Sequence, residues 1–124
     1  MPFVLLVSPS AAQWRAFTEA LHSAAGIDVK IVHSAMAAFD AVQEQTPAAV
    51  VIDAHLGDMT GAELVRRLIE INAMIQVALV SPDSSEVFHE KNEGLGIMMQ
   101  LPPDPGQTEA GRMVEKLRQL AVIS

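Results

Sequence analysis

The sequence predicts an α/β fold of three layers, in which five parallel strands form one doubly wound sheet between layers made by five helices. Two observations carry this prediction: apolar runs of strand length recur at regular intervals, and helical patterns lie between them. The runs are mostly continuous rather than alternating, which is typical of parallel strands covered on both faces. They span residues 3–7, 29–32, 48–52, 75–80 and 96–101.

Apolar side chains at helical spacing occupy the segments between the strands. The segment at residues 84–91 has the least clear pattern, and its helix is expected to be short. The residues expected on buried helix faces are Trp14, Phe17, Leu21 and Ala24, then Phe39 and Val42, then Leu64, Leu68 and Ile71, and finally Met113, Leu117 and Leu120.

Helix starts are marked by a polar residue three positions before Glu or Gln, which is the spacing of a capping box. Pro105 is expected at the first position of the last helix. In a doubly wound parallel sheet these starts lie at the carboxyl edge, where such folds bind their ligands, so functional residues are expected there. The four pairs are Ser10 with Gln13, Thr60 with Glu63, Asp83 with Glu86, and Asp104 with Gln107.

Length and composition restrict the class of protein. The 124 residues suit one domain over positions 1–124, and Met1 is expected to be the natural amino end. The absence of cysteine excludes a disulfide framework and favours a reducing, cytoplasmic location. The first apolar run is too short for a signal peptide or a membrane span. A net charge of −7 with scattered basic residues argues against direct binding of nucleic acid.

The third predicted strand supplies the strongest functional signal. Asp53 directly follows it, and a hydrophobic residue, a turn and a glycine follow at Leu56, Met59 and Gly61. This pattern, with the number and spacing of the strands, resembles the receiver domain of two-component response regulators, which has a flavodoxin-like fold. The resemblance places Asp53 at the position of the family's phosphoacceptor aspartate.

Two further positions at the same edge fit the resemblance. Ser81 follows the fourth strand, where the family has a Ser or Thr that hydrogen-bonds the phosphoryl group. Pro102 follows the fifth strand, where a proline comes after the family's lysine. Ser8 and Ser81 each precede a proline, so each is also consistent with a turn residue whose hydroxyl forms hydrogen bonds with backbone groups of its loop. His55 suits an exposed turn residue.

Three positions depart from the family pattern. The family's first strand ends in two acids that help to hold magnesium, whereas this chain reads Leu6-Val7-Ser8-Pro9-Ser10. Leu101 stands in place of the family's lysine, and Met98 stands in place of its aromatic switch residue. Asp53 and a backbone carbonyl at His55 would make only a weak magnesium site, so no metal and no cofactor is expected. Phosphoryl transfer depends on positioned charge, and most of that charge is missing.

The leading hypothesis is a non-phosphorylated pseudo-receiver that signals by protein contact. The resemblance implies a partner such as a histidine kinase or another signalling protein, contacts through the fourth helix, fifth strand and fifth helix, and a weak homodimer through the last helix. No membrane association is expected. Motifs of hydrolases, phosphate-binding loops and zinc proteases are absent, so the chain is not expected to be an enzyme.

Two alternatives stay open. One is a working phosphorelay receiver that accepts a phosphoryl group on Asp53 with atypical helper residues. The other is a domain that binds a small ligand or cofactor at the same edge. Asp53, His55 and Gly57 resemble the Asp-x-His-x-x-Gly loop of cobalamin-binding domains, but Asp58 occupies the position of the final glycine and breaks the match.

Overall fold

The structure is a computed structural model and describes residues 3–120 and Val122. Strands and helices alternate along the chain, and a short 3-10 turn, Ala11–Trp14, precedes the first helix. The elements are β1 (Phe3–Val7), α1 (Arg15–Ala25), β2 (Asp28–Val32), α2 (Ala35–Glu44), β3 (Ala49–Ile52), α3 (Gly61–Ile71), β4 (Val77–Val80), α4 (Ser85–Lys91), β5 (Met99–Leu101) and α5 (Gln107–Gln119).

The five strands form one parallel sheet in the order β2-β1-β3-β4-β5. This arrangement confirms the predicted fold class. The order reverses at β1 and β3, and doubly wound sheets bind their ligands at the carboxyl edge beside such a reversal. None of the described helices is long and apolar enough to cross a membrane.

The core lies on both faces of the sheet because successive side chains of a strand point to opposite sides. Val4 and Leu6 of β1 pack on the face covered by α1 and α5. Leu5 and Val7 pack on the other face, where α2, α3 and Phe88 of α4 contribute. Strands β1, β3 and β4 are therefore buried on both faces, as their continuous apolar runs predict.

The only tryptophan of the sequence anchors the α1–α5 face. Trp14 ends the 3-10 turn and is almost wholly buried, and its ring meets that of Phe17 edge to face, with centroids 5.3 Å apart. Such a pair contributes about 0.5 to 1.5 kcal/mol beyond the area it buries. The remainder of this core is aliphatic or methionine.

Strand β2 differs from the prediction that all strands are covered on both faces. It forms one edge of the sheet, and Asp28, Lys30 and Ile31 are exposed. The strand bounds also shift: β5 begins at Met99, three residues after the predicted start, because Gly96 adopts a left-handed conformation with φ of 67° that an extended strand excludes.

Three residues predicted on buried helix faces are exposed in the structure. They are Ala24, Ile71 and Leu120. Each lies at or next to the end of its helix. The short fourth helix is confirmed as α4.

The helix caps show a mixture of outcomes. Thr60 accepts the backbone N–H of Glu63 at 3.2 Å, as predicted. Ser10 makes no side-chain cap, because the chain enters the 3-10 turn first. Ser84, not Asp83, caps α4 by accepting the N–H of Val87. Gly106, not Asp104, precedes α5, so Pro105 lies outside that helix and is buried instead.

Candidate functional site

Asp53 lies at the carboxyl edge of the sheet, directly after β3, and is partly buried. Its backbone N–H donates to the carbonyl of Val7 at 3.0 Å, which continues the pairing of β3 with β1. Both carboxylate oxygens accept a hydrogen bond: Oδ2 from the hydroxyl of Ser8 at 2.8 Å, and Oδ1 from the N–H of Ala54 at 2.8 Å. The carboxylate is therefore held by one hydroxyl and one backbone amide.

Ser8 is the partner that the structure brings to Asp53. It follows β1, is fully buried, and its hydroxyl also accepts the N–H of Ser10 at 3.1 Å. The single hydroxyl proton is committed to Asp53. The imidazole Nδ1 of His33 lies 3.2 Å from the carbonyl oxygen of Ser8, within hydrogen-bonding distance. Ser8 is thus a buried link between β1 and β3, in addition to the turn role that its sequence context suggests.

The loop from β3 to α3 is packed against the strand end. Gly61 donates its N–H to the carbonyl of Ala54 at 2.9 Å. A Cβ atom at position 61 would overlap the carbonyl oxygen of Asp53 and would lie 2.8 Å from Cδ1 of Leu79. Position 61 therefore requires glycine, and its presence lets α3 begin immediately beside Asp53.

Asp58 is a residue of this loop that sequence reasoning did not assign to the site. Its two carboxylate oxygens accept the backbone N–H groups of Ala35 at 3.0 Å and Met36 at 3.1 Å, at the start of α2. The hydrogen bond from Ala35, followed by that from Met36, lowers the pKa of Asp58. The acid satisfies helix amides and so ties the β3–α3 loop to α2. An acid in a turn gives no sequence signal for this contact.

His55 and Ser81 lie at the same edge, but neither side chain is hydrogen-bonded to Asp53. His55 is exposed, its backbone forms an isolated bridge with Thr60, and among the described residues its side chain makes no hydrogen bond. The hydroxyl oxygen of Ser81 accepts the N–H of Asp83 at 3.1 Å, which is a turn contact. Of the predicted edge residues, only Ser8 is bonded to Asp53.

Leu101 and Pro102 differ in their exposure. Leu101 ends β5 and is fully buried in the core on the α1–α5 side of the sheet. Pro102 is exposed and lines a surface groove. The position that corresponds to the family's lysine is therefore filled by an apolar side chain inside the core.

No Lys or Arg side chain in the described part of the chain forms an ion pair with Asp53. Among the described residues, five of the eight Lys and Arg side chains pair with other acids, and these are Arg15, Lys30, Arg66, Arg67 and Lys91. Two more, Arg112 and Lys116, line the surface groove. Nor do three His, Asp or Glu side chains of this part of the chain gather into a group suited to a metal ion.

The groove has a volume of about 970 Å³ and runs between α4, β5 and α5. It combines an apolar lining with charged side chains of both signs. The apolar residues include Ile97, Met98 and Met99, and the basic side chains Arg112 and Lys116 lie on α5. The acids include Glu90 and Glu93 on the α4 side and Glu109 on α5, and His89 of α4 also lines the groove.

Comparison with known proteins identifies the family. The family model of the response regulator receiver domain matches residues 4–103. The chain therefore belongs to the response regulator receiver domain family, whose members are signalling domains of two-component type. A search of curated proteins gives no match.

Solved structures of receivers share the fold. A CheY-like response regulator receiver domain protein from Methanospirillum hungatei JF-1 superposes with a TM-score of 0.82 at 17% identity, covering 98% of this chain and 97% of that one. The chemotaxis response regulator CheY4 of Vibrio cholerae gives 0.81 at 17%, covering 94% and 98%. A signal receiver domain of an HD domain-containing protein from Pseudomonas fluorescens Pf-5 gives 0.78 at 20%, covering 97% and 89%.

Proposed function

We propose that this receiver domain is a pseudo-receiver, which is not phosphorylated, binds no magnesium at Asp53 and acts in the cytoplasm through protein contacts rather than catalysis. The observation that carries the proposal is the 2.8 Å hydrogen bond from the buried Ser8 hydroxyl to Asp53. A neutral hydroxyl stands beside the carboxylate where phosphoryl chemistry needs charge.

The donor set does not fit magnesium. Mg²⁺ prefers near-octahedral oxygen ligands and is usually held by one or two carboxylates together with phosphate and water. Asp53 is a single carboxylate whose oxygens already accept two hydrogen bonds. A metal that displaced the Ser8 hydroxyl from Asp53 would leave a fully buried hydroxyl without this acceptor, which costs about 1 to 3 kcal/mol.

A phosphoryl group on Asp53 would also lack a counter-charge. It adds roughly 1.5 to 2 negative charges to a chain whose formal net charge is already −7. The last position of β5, where a lysine could supply an ammonium group, holds Leu101, which is fully buried. The new charge would therefore stand without a positioned cation.

Amide NMR spectra test directly whether the site at Asp53 binds magnesium or a phosphoryl group. Magnesium at millimolar concentration and then beryllium fluoride, which mimics a phosphoryl group, are titrated into the native protein. We expect no saturable shifts for the amides around Asp53. Saturable shifts there would refute the proposal, and an Asp53→Ala variant shows whether weak shifts elsewhere come from general salt effects.

A working phosphorelay receiver is the competing function, and one observation favours it: Asp53 remains partly exposed at the carboxyl edge of a receiver fold. Labelling from acetyl phosphate separates the two functions. Covalent phosphate on the native protein, absent from Asp53→Ala, would establish the competing function. We expect equal background labelling in both proteins.

The groove between α4, β5 and α5 is the proposed contact surface. Its apolar lining suits a partner segment with an apolar face, and its charges suit basic groups next to Glu90 and Glu93 and acidic groups next to Arg112 and Lys116. The partner in this proposal is a signalling protein that presents such a segment.

Site-specific crosslinking tests the surface. A photoreactive residue at position 98 in the groove is compared with one at exposed position 23 on α1. The crosslinked protein is identified and purified, and its affinity is measured by calorimetry. We expect Arg112→Glu to weaken binding at least tenfold and Arg15→Glu, on α1, to leave it unchanged. Equal effects of both substitutions would exclude the groove.

A further inference from the structure

Gln100 is a polar residue in the middle of β5, between the buried side chains of Met99 and Leu101. Its side-chain Nε2 donates two hydrogen bonds, to the carbonyl of Asp83 at 2.7 Å and to the carbonyl of Ser81 at 3.2 Å. Both acceptors belong to the loop between β4 and α4. One amide group thus fixes two points of this loop to the neighbouring strand.

Asp83 makes two further contacts, one through its backbone N–H and one through its carboxylate. Its backbone N–H donates to the hydroxyl of Ser81 at 3.1 Å, and its carboxylate accepts the ammonium group of Lys91 at 2.9 Å. The hydrogen bond from Lys91 lowers the pKa of Asp83. Lys91 is the last residue of α4, so this ion pair joins the loop before the helix to the end of the same helix.

The hydrogen-bonded network formed by Gln100, Ser81, Asp83 and Lys91 lies between the carboxyl edge and the groove. Its loop begins at the end of β4, which pairs with β3, the strand that Asp53 follows. The loop leads into α4, which forms one wall of the groove. Helix α4 has only seven residues, and Phe88 is its one buried side chain. A helix with so little buried surface depends on its connections for its position.

We propose that Gln100, Ser81, Asp83 and Lys91 form a clamp that holds the β4–α4 loop and α4 in one arrangement, so that the groove is permanently formed and independent of Asp53. This inference rests on the proposed function of the groove. Gln100 acts as a positioning residue: it fixes the α4 wall relative to the lining supplied by β5. The domain then presents its contact surface constitutively, without a switching event.

Amide NMR of the full chain tests the clamp. In the native protein, relaxation dispersion is expected to show no exchange on the microsecond to millisecond timescale for residues 81–91. Gln100→Met, which keeps the length but removes the donors, is expected to introduce exchange there. It should also speed hydrogen exchange of the α4 amides roughly tenfold, as two lost hydrogen bonds would.

Controls separate positioning from general stability. Gln43→Met changes an exposed glutamine of α2 and is expected to leave α4 unaffected. Lys91→Met is expected to speed α4 exchange about two- to threefold, and Lys91→Arg, which retains a donor, to restore the native rate. Core amides of β1 and β3 should keep their native rates in all four variants.

Two results would overturn the clamp: millisecond exchange at residues 81–91 in the native protein, or equal acceleration of core and α4 amides in Gln100→Met. Neither result depends on phosphorylation of Asp53. Labelling of Asp53 by acetyl phosphate would refute the proposed function and leave these exchange rates as they are, so the two failures can be told apart.

Discussion

The hydroxyl of Ser8 donates a 2.8 Å hydrogen bond to the carboxylate of Asp53 and joins the ends of β1 and β3 inside the protein. The residues are 45 positions apart in sequence, so the contact is a product of the parallel pairing of the two strands. The partly exposed carboxylate of Asp53 is thereby tied to Ser8, which is fully buried.

Removal of the Ser8 hydroxyl is expected to destabilise the fold. Ser8→Ala leaves Oδ2 of Asp53 and the N–H of Ser10 without this partner, and the loss of a typical hydrogen bond costs about 0.5 to 1.5 kcal/mol. Urea denaturation measures the change in the free energy of unfolding. Ser23→Ala, on the exposed face of α1, is the matched control and should change it by less than about 0.5 kcal/mol. Equal values for the two variants would show that the link contributes nothing.

Restoring acids after β1 is expected to create a metal site. Ser8→Asp combined with Pro9→Asp gathers three carboxylates with Asp53, so the variant should be less stable than the native protein without metal, because like charges repel. Magnesium should bind and recover stability. Calorimetry and thermal unfolding with and without magnesium measure both effects. Adding Asp53→Asn should abolish the binding, and failure of the double variant to bind magnesium would show that Asp53 is misplaced for a metal.

Two glycines are expected to respond in opposite ways to the same substitution. Gly61→Ala places a methyl group against the carbonyl oxygen of Asp53 and the side chain of Leu79, and should destabilise the protein by about 3 kcal/mol. Gly111→Ala lies inside α5 with open space around it and should stabilise by about 0.5 to 1 kcal/mol. Urea denaturation of both variants is the measurement. If Gly61→Ala leaves the free energy of unfolding unchanged, α3 can move away from the strand end.

Acid pH is expected to weaken the contact between Asp58 and α2. The amides of Ala35 and Met36 lower the pKa of Asp58 in the folded protein relative to the unfolded chain. Its contribution to stability is therefore complete above the ordinary carboxyl range near pH 4, and is lost as the pH falls through the lower folded value. Asp58→Asn should flatten the pH dependence of unfolding below about pH 4. Asp104→Asn controls for net charge, and an unchanged slope in Asp58→Asn would contradict the assignment.

The architecture could be predicted from the sequence because it depends on local pattern. Continuous apolar runs identify strands covered on both faces, and the residue that follows such a run, Asp53, must lie at the carboxyl edge. Strand β2 shows the limit of this reasoning. A short apolar stretch does not reveal whether its strand lies in the centre of the sheet or at its edge, since that depends on the order of pairing.

Contacts between distant loops could not be predicted. Asp83 and Ser84 are adjacent and both can cap a helix, and the choice of Ser84 follows from the engagement of Asp83 by Lys91 and Gln100. Asp58 likewise meets α2 only because two helices lie side by side on one face of the sheet. A polar residue inside an apolar strand, as at Gln100, is the one local signal that could have indicated such a contact.

The single buried Trp14 gives this protein an unusually selective optical probe. With no tyrosine in the sequence, near-ultraviolet emission arises almost entirely from one indole ring, which packs edge to face on Phe17. Fluorescence will therefore report the layer formed by α1 and α5 and remain nearly blind to α2 and α3. A loosening of the opposite layer would leave the emission unchanged and would be missed in an unfolding curve recorded by fluorescence alone. Circular dichroism must therefore be recorded as well.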